Sequence, residues 1–304
     1  MKNPAFKGVI PALTMPFRED RSIDLDGFRR LVEHVIGDGV NGLLVNGCTG
    51  ESWAVTDDER AAIFRAAVQQ AAGRVPVVAG VGAILPDHVK ARIRQAADAG
   101  CDYVMIQAPY YVLPNLDEVG DFFRDLLDYT PLPTVIYNIP RRTGVNLSVE
   151  LVHRLADHPR AAALKESSKD FLLLSEMIRR TGDRLSVFAG YASLLGLGAI
   201  TQGAVGYMDS STPVFGAKSP AFYRAAAAGD LEAARRLQGE MVELNNGFFG
   251  IGTFPAGVKA ALDMLGRPGG WTRPPVKPLN ADQRAKIRAV LTQAGLLPAA
   301  AAAE

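Results

Sequence analysis

Short apolar runs alternate with amphipathic stretches along this chain, and that alternation limits its fold more than any other feature. Eight runs rich in Val, Ile and Ala fall at 9–16, 42–46, 75–81, 103–108, 134–138, 161–165, 185–189 and 204–208. Between them lie segments of helical periodicity such as 25–36, 57–72, 86–99 and 117–127. Apolar runs of this length suit strands buried on both faces, as in parallel sheets whose crossovers are helices. Eight such units in about 230 residues predict an α/β fold of the (β/α)8 TIM-barrel type. A doubly wound open sheet ranks second. It normally has fewer strands, and no Gly-x-Gly-x-x-Gly follows the first run.

Local signals agree with this spacing. Thr56 with Glu59 reads as a capping box, and Ser148 precedes a periodic segment opened by Glu150. Beyond Pro220 the strand pattern stops, and 230–245, 255–265 and 281–294 read as helices. The expected organisation is a barrel over 1–228 and a C-terminal helical region over 229–304 packed on it, without a long linker near Gly229. The Ala-rich end at 299–304 reads as a frayed tail.

Bulk composition excludes several classes. With 304 residues and 48% hydrophobic content the chain can bury one large core. A net charge of +1 offers no basic excess for neutralising phosphates, which argues against nucleic acid as a partner. Cys48 and Cys101 make neither a disulfide framework nor a zinc-ligand spacing. The first residues lack a signal peptide's apolar core, and the apolar stretch at 76–85 is well below the roughly 18 residues of a membrane helix. A soluble, cytoplasmic protein is expected.

The chemistry centres on Lys165, at the end of the sixth run. Burial disfavours an ammonium and leaves the neutral amine, the nucleophile of Schiff-base chemistry. Two other segments also close apolar runs: Gly47-Cys48-Thr49-Gly50-Glu51 after the second and Tyr137-Asn138-Ile139-Pro140 at the fifth. In a barrel all three open onto the face at the C-terminal ends of the strands. Gly47 and Gly50 allow a tight turn whose N–H groups face an anion, and Thr49 adds a hydroxyl. Tyr137 offers a phenol for proton transfer to an amine on the next strand. Together these are the parts that activate a 2-oxo acid. Each has a plainer reading by itself: a turn that is only a turn, an anchoring tyrosine, a solvated lysine. No His-x-His, His-Glu-x-x-His or carboxylate cluster points to a metal-dependent aldolase. His34, His88, His153 and His158 fall on predicted helices or their ends and are expected at the surface.

With these segments in view, the chain resembles the dihydrodipicolinate synthase / N-acetylneuraminate lyase family of class I aldolases, from Gly8 to about Arg273. The markers stand in order: Thr14-Met15-Pro16-Phe17, Gly47-Cys48-Thr49-Gly50-Glu51, Pro109-Tyr110-Tyr111, Tyr137-Asn138-Ile139-Pro140, Lys165-Glu166 and Gly190-Tyr191. The 28-residue step from Tyr137 to Lys165 fits the same pattern. The resemblance implies that Lys165 forms an imine with C2 of pyruvate, or of a substrate's pyruvate half, and that Tyr137 shuttles protons. It implies that Thr49 and the backbone around it, from Cys48 to Gly50, hold the carboxylate, with Gly190, Met208 and Asp209 beside the substrate. It implies further that Tyr111 reaches across a subunit interface into the neighbour's site, so that a homotetramer or homodimer is expected. The imine serves as the electron sink, and neither a cofactor nor a metal is expected.

Within the family the hints diverge. Arg142 stands where the synthases keep an arginine for the carboxylate of aspartate semialdehyde, a group that a guanidinium binds bidentately. Cys48 replaces the threonine that links two relay tyrosines, and a thiol is a weak donor. Asp209 stands where the synthases usually have serine. Gly190-Tyr191 suits the sialic acid lyases, but Ala192 and Ser193 replace the acidic residues that hold sugar hydroxyls. The expected reaction is a synthase-like condensation of pyruvate with a carboxylate-bearing aldehyde. The alternatives are keto-deoxy-sugar acid or hydroxy-2-oxo-acid aldolases and dehydratases, an N-acetylneuraminate lyase-like enzyme, and a barrel that binds a 2-oxo acid without turnover. Asp57, Arg60, Ile84 and His88 stand where lysine-responsive synthases carry His, Asn and Glu, so regulation by lysine is not expected.

Overall fold

The computed structural model describes residues 3–298; Met1, Lys2 and the Ala-rich end at 299–304 lie outside the described residues. Eight strands run β1 (Gly8–Val9), β2 (Leu43–Val45), β3 (Val77–Gly80), β4 (Tyr103–Gln107), β5 (Thr134–Asn138), β6 (Ala161–Glu166), β7 (Ser186–Ala189) and β8 (Gly206–Tyr207). Around them lie α1 (Leu25–Gly37), α2 (Asp57–Ala71), α3 (Pro86–Asp98), α4 (Leu116–Tyr129), α5 (Pro140–Thr143), α6 (Val149–Leu155) and α7 (Phe171–Thr181). They continue with α8 (Ala192–Thr201), α9 (Thr212–Phe215) and α10 (Lys218–Ala228). Then come α11 (Leu231–Phe248), α12 (Ala256–Met264) and α13 (Ala281–Gln293).

The strands pair in parallel in the order β1-β8-β7-β6-β5-β4-β3-β2. A bridge between Ala12 and Leu44 closes the ring, with the Leu13 N–H on Leu44 O and the Leu44 N–H on Pro11 O, both at 2.9 Å. This is the expected (β/α)8 barrel with a helical C-terminal region. The first strand is shorter than its apolar run because Pro11 and Pro16 have no N–H to give a ladder.

Alternation of side chains along the strands divides the core in two. Ile10, Leu44, Val78, Met105, Val135 and Phe188 fill the barrel, while Val45, Val104, Ile136, Leu164 and Val187 face the helices. One irregularity matters for function. Thr134 pairs with Ala161 but the next residue, Val135, pairs with Ala163, so Ala162 is an extra residue in β6. Strict alternation from the outward-facing Ala161 would send residues 163 and 165 outward as well. The bulge resets the phase, so that Ala163 packs inside the barrel and Lys165 follows it there.

Helix starts follow the local chemistry. The Thr56–Glu59 capping box is formed, and the Ser148 hydroxyl accepts the Leu151 N–H. The helix α11 lies along α8, where Gln238 accepts the Leu197 N–H at 2.8 Å and donates to Ser193 O at 3.2 Å. Among the described residues no helix is long and apolar enough to cross a membrane. His34 and His88 are exposed, while His153 and His158 are half-buried against Arg184 and Asp128.

Candidate active site

Two cavities of about 280 and 300 Å³ lie at the C-terminal ends of the strands. Lys165, Thr49 and Asp209 wall the first, Arg60, Arg92 and Tyr110 the second. Cys48, Tyr137, Ile139, Arg142 and Phe254 belong to both.

Lys165 and Tyr137 are register partners on β6 and β5, and both point into the barrel. Lys165 is 5% exposed, and its Nζ stands 4.4 Å from the centre of the Tyr137 ring. Among the described residues it has no hydrogen-bond acceptor and no carboxylate at ion-pair distance. Burial pushes its pKa down to about 8, with charge on Cys48 and Asp209 pulling the other way. About a tenth of the amine is then neutral at pH 7, against a thousandth or less for an ordinary lysine. Burial drives the Tyr137 phenol well above its usual pKa, helped by Cys48 and Tyr191 and opposed by Ser167 and Arg142. The pair therefore combines an amine able to lose its proton with a phenol that keeps one.

A clamp behind β5 and β6 fixes this pair. Asn138 donates to Glu166 Oε2 at 2.7 Å and to Asn146 Oδ1 at 2.8 Å, and accepts the Leu147 N–H at 3.0 Å. Glu166 is fully buried and also accepts the Ser168 N–H. Burial raises its pKa. Asn138 and Glu166 lie next to Tyr137 and Lys165 in sequence and so project away from the barrel interior.

The turn after β2 is built differently from its sequence expectation. Neither Gly47 nor Gly50 adopts a positive φ; Asn46 (53°) and Glu51 (51°) do. Gly50 is needed for close approach instead, since a Cβ there would sit 3.2 Å from the Asn46 backbone and from Leu13 O. The N–H groups of Gly50 and Ser52 bond Gly47 O, and that of Glu51 bonds Cys48 O. Those of Cys48 and Thr49 have no protein acceptor among the described residues. The available cradle is thus these two N–H groups with the Thr49 hydroxyl, while the Gly50 N–H is turned inward.

Glu51, at the end of this turn, is fully buried against Lys259 of α12 at 2.5 Å. Lys259 Nζ also donates to Met15 O at 2.8 Å and Trp271 O at 2.5 Å, and the Arg273 N–H reaches Glu51 Oε2 at 3.2 Å. Sequence reading passed over Lys259, whose partner is 208 positions away. A lone lysine in a helical stretch carries no signal that it is buried.

The other expected residues fall out as follows. Gly190 and Met208 line the Lys165 cavity, but their N–H groups are engaged by Glu166 O and Ala189 O. A Cβ on Gly190 would meet Ser167 Oγ at 1.8 Å, so this glycine makes room for that hydroxyl. Ser167 was not anticipated; its buried Oγ influences Tyr137 yet has no partner at normal hydrogen-bond geometry. Asp209 is 4% exposed, and its Oδ1 takes three donors: the Thr212 N–H at 2.9 Å, the Thr212 hydroxyl at 2.7 Å and the Ser211 N–H at 3.2 Å. Among the described residues Oδ2 takes only the Ala192 N–H at 3.3 Å, so one oxygen retains capacity beside the cavity. Arg142 lies over Phe254, 5.6 Å from the ring centre, and reaches both cavities, while Arg141 lines the Lys165 cavity too. Cys48 is a half-buried free thiol. Tyr111 is not gathered in: it is 88% exposed, with φ of 75°, and lines neither cavity.

Barrels that keep an amine dry at this face make up the class I aldolases, lyases that work through a lysine imine. The chain belongs to the dihydrodipicolinate synthetase family, whose sequence model matches residues 5–294. It is 37% identical to a 4-hydroxy-tetrahydrodipicolinate synthase of Acidothermus cellulolyticus, over 98% of this chain and 96% of that one. An uncharacterized DapA-like lyase of Rhizobium meliloti is 35% identical over 93% of this chain and 94% of its own. Among solved structures, the dihydrodipicolinate synthase of Aquifex aeolicus superposes with a TM-score of 0.91 at 32% identity, over 96% of this chain and 99% of that one.

Proposed function

We propose that this protein is a pyruvate-dependent, Schiff-base-forming lyase that joins pyruvate to a carboxylate-bearing aldehyde, as a 4-hydroxy-tetrahydrodipicolinate synthase does. The observation that carries the reading is the buried, unpaired Lys165 amine in register with Tyr137. The Lys165 lone pair attacks C2 of pyruvate, and loss of water leaves an imine. Tyr137 gives the proton with which that water leaves, its phenolate takes the C3 proton to form the enamine, and the phenol then protonates the aldehyde oxygen as the enamine carbon attacks; water hydrolyses the resulting iminium, freeing the Lys165 amine and returning the proton to Tyr137. The Cys48 and Thr49 N–H groups and the Thr49 hydroxyl hold the pyruvate carboxylate, and Arg142 meets the acid of the aldehyde. The imine supplies the electron sink, so the reaction needs neither metal nor organic cofactor. Free Cys48 and Cys101 suit a reducing compartment such as the cytoplasm.

A second reading, a hydroxy-2-oxo-acid or keto-deoxy-sugar acid lyase, is favoured by the spare Asp209 oxygen and the unpartnered Ser167 hydroxyl, which suit a hydroxylated substrate. Both readings share the imine. Borohydride reduction with pyruvate should place a stable adduct on the Lys165 peptide, read by mass spectrometry. Tyr137→Phe should still fold but turn over about 10²–10⁴-fold more slowly. An active preparation whose Lys165 stays unmodified would end the proposal.

Tyr111 completes the site from a second copy, in a homodimer or homotetramer. Its near-complete exposure is the support, since a relay tyrosine in water does nothing for its own chain. Mixing inactive Tyr111→Phe and Lys165→Ala chains should regenerate sites that hold both residues and so restore part of the activity. No recovery after subunit exchange would place Tyr111 outside the reaction.

A further inference from the structure

Two strained residues bracket the turn that holds the pyruvate carboxylate. Asn46 and Glu51 take φ of 53° and 51°, a region that residues other than glycine keep only where their surroundings hold them. Asn46 is tied locally, its Nδ2 donating to Gly80 O at 3.1 Å. Glu51 is held from the C-terminal region. Lys259 Nζ donates to its Oε1 at 2.5 Å and the Arg273 N–H to its Oε2 at 3.2 Å. The same ammonium reaches Met15 O and Trp271 O, and stands 4.6 Å from the centre of the Phe17 ring. One group therefore joins the loop after β1, the turn after β2 and the segment after α12. Glu51 and Lys259 are 0% and 1% exposed, and neither lines the cavity of Lys165. A buried ion pair is a weak source of stability, since desolvating both charges offsets most of their attraction.

We propose that Lys259 is a positioning residue for pyruvate: by pinning Glu51 it fixes the turn that aims the Cys48 and Thr49 N–H groups at the carboxylate. The inference rests on the pyruvate-lyase reading. Three N–H groups of the turn, those of Gly50, Glu51 and Ser52, are spent on Gly47 O and Cys48 O. The Cys48 and Thr49 N–H groups ahead of them remain for an anion, and their direction follows from the sign of φ at the ends of the turn. Freed from Lys259, Glu51 relaxes toward negative φ, and those peptides turn with it. Lys165 and Tyr137 stand on β6 and β5, outside this turn. Loss of the anchor therefore weakens pyruvate binding and leaves the chemical step at Lys165 in place.

The test is borohydride trapping at graded pyruvate concentrations, which reads a half-saturation and a limiting rate separately. The main variant combines Glu51→Gly with Lys259→Met. Glycine keeps either sign of φ without strain and methionine fills the space of the lysine stem, so no charge is stranded. Half-saturation should rise at least about tenfold, the loss of one charge-assisted hydrogen bond, with the limiting rate kept. Glu51→Gln keeps the size of the side chain and gives up its charge. It should act in the same direction, and it serves if the double variant fails to fold. Arg267→Leu is the control for general destabilisation, because its partners, Asp38 and Pro213 O, lie outside the turn. It should lower the urea midpoint and leave half-saturation as in wild type. The proposal is overturned if the folded turn variants keep wild-type half-saturation, if their limiting rate falls instead, or if Arg267→Leu raises half-saturation equally. Calorimetric titration of Lys165→Met with pyruvate reads the same contact without the imine, and adding Glu51→Gln should weaken that binding too. A failed imine trap and a failed anchor thus give separate results.

Discussion

Lys165 and Lys259 are both buried amines, 5% and 1% exposed, and burial pushes each down to about 8. Their surroundings then diverge. Lys259 meets three acceptors: the Glu51 carboxylate and the Met15 and Trp271 carbonyls. A neutral amine has two N–H groups, so only the ammonium satisfies all three. Lys165 meets no acceptor among the described residues and faces the Tyr137 ring. Nothing there selects the ammonium strongly, and a lone pair can be freed. Burial alone does not make a lysine a nucleophile; burial without acceptors does.

Substituting each lysine by methionine should separate the two most sharply. Lys165→Met should lose all turnover and adduct formation, yet keep or gain stability, because it strands no partner. Lys259→Met strands Glu51 in the interior and should cost about 3–5 kcal/mol in urea unfolding. Equal losses of stability in the two variants would erase the distinction. A smaller effect concerns the mouth of the Lys165 cavity. Arg142→Ala should raise KM for an acidic aldehyde by about 10–150-fold, the range of a charge-assisted contact of about 1.5–3 kcal/mol. Its effect on pyruvate should be much smaller; equal effects would shift weight to the neutral-sugar lyases. The mildest test is pH. Lys165 has its pKa lowered, so the reactive amine is the form that grows as pH rises. The trapping rate at low pyruvate should climb about tenfold per unit below pH 8 and level off above it. A midpoint near 10 would mean that Lys165 is as well hydrated as a surface lysine.

Much of the barrel could be read from the chain because buried parallel strands leave long apolar runs and their helices carry their own caps. The region from 134 to 138 matches its strand residue for residue. Lys165, Tyr137 and Thr49 were legible as neighbours because the fold places every strand end on one face, and Asp209 joined them only through the family resemblance. What was not legible depends on contacts distant in sequence or on local phase. The conformation of the turn at 46–51 lies with Asn46 and Glu51, not with its glycines, because the Glu51 carboxylate is held from α12. The burial of Arg60 was not legible, because nothing in its own segment reports that Val55, Asp57 and Arg92 enclose it. Tyr111 was expected in a relay, but one chain alone cannot bring it there.

The unpaired Ala162 makes the pairing of β6 a stricter requirement than its composition. Serine or glycine in place of an alanine at 161–163 would leave the chain's direction unchanged. Loss of Ala162 would only make the ladder regular, with Ala163 still packed inside and Lys165 still opposite Tyr137. Pairing the full-length strand without the bulge would instead rotate everything after Ala161 by half a pleat. Lys165 would then face the helices, and Glu166, now behind the barrel wall, would turn into the barrel and present an acid where the amine belongs. A relative with this strand one residue shorter can therefore keep its lysine in place, whereas one of equal length needs the bulge to do so.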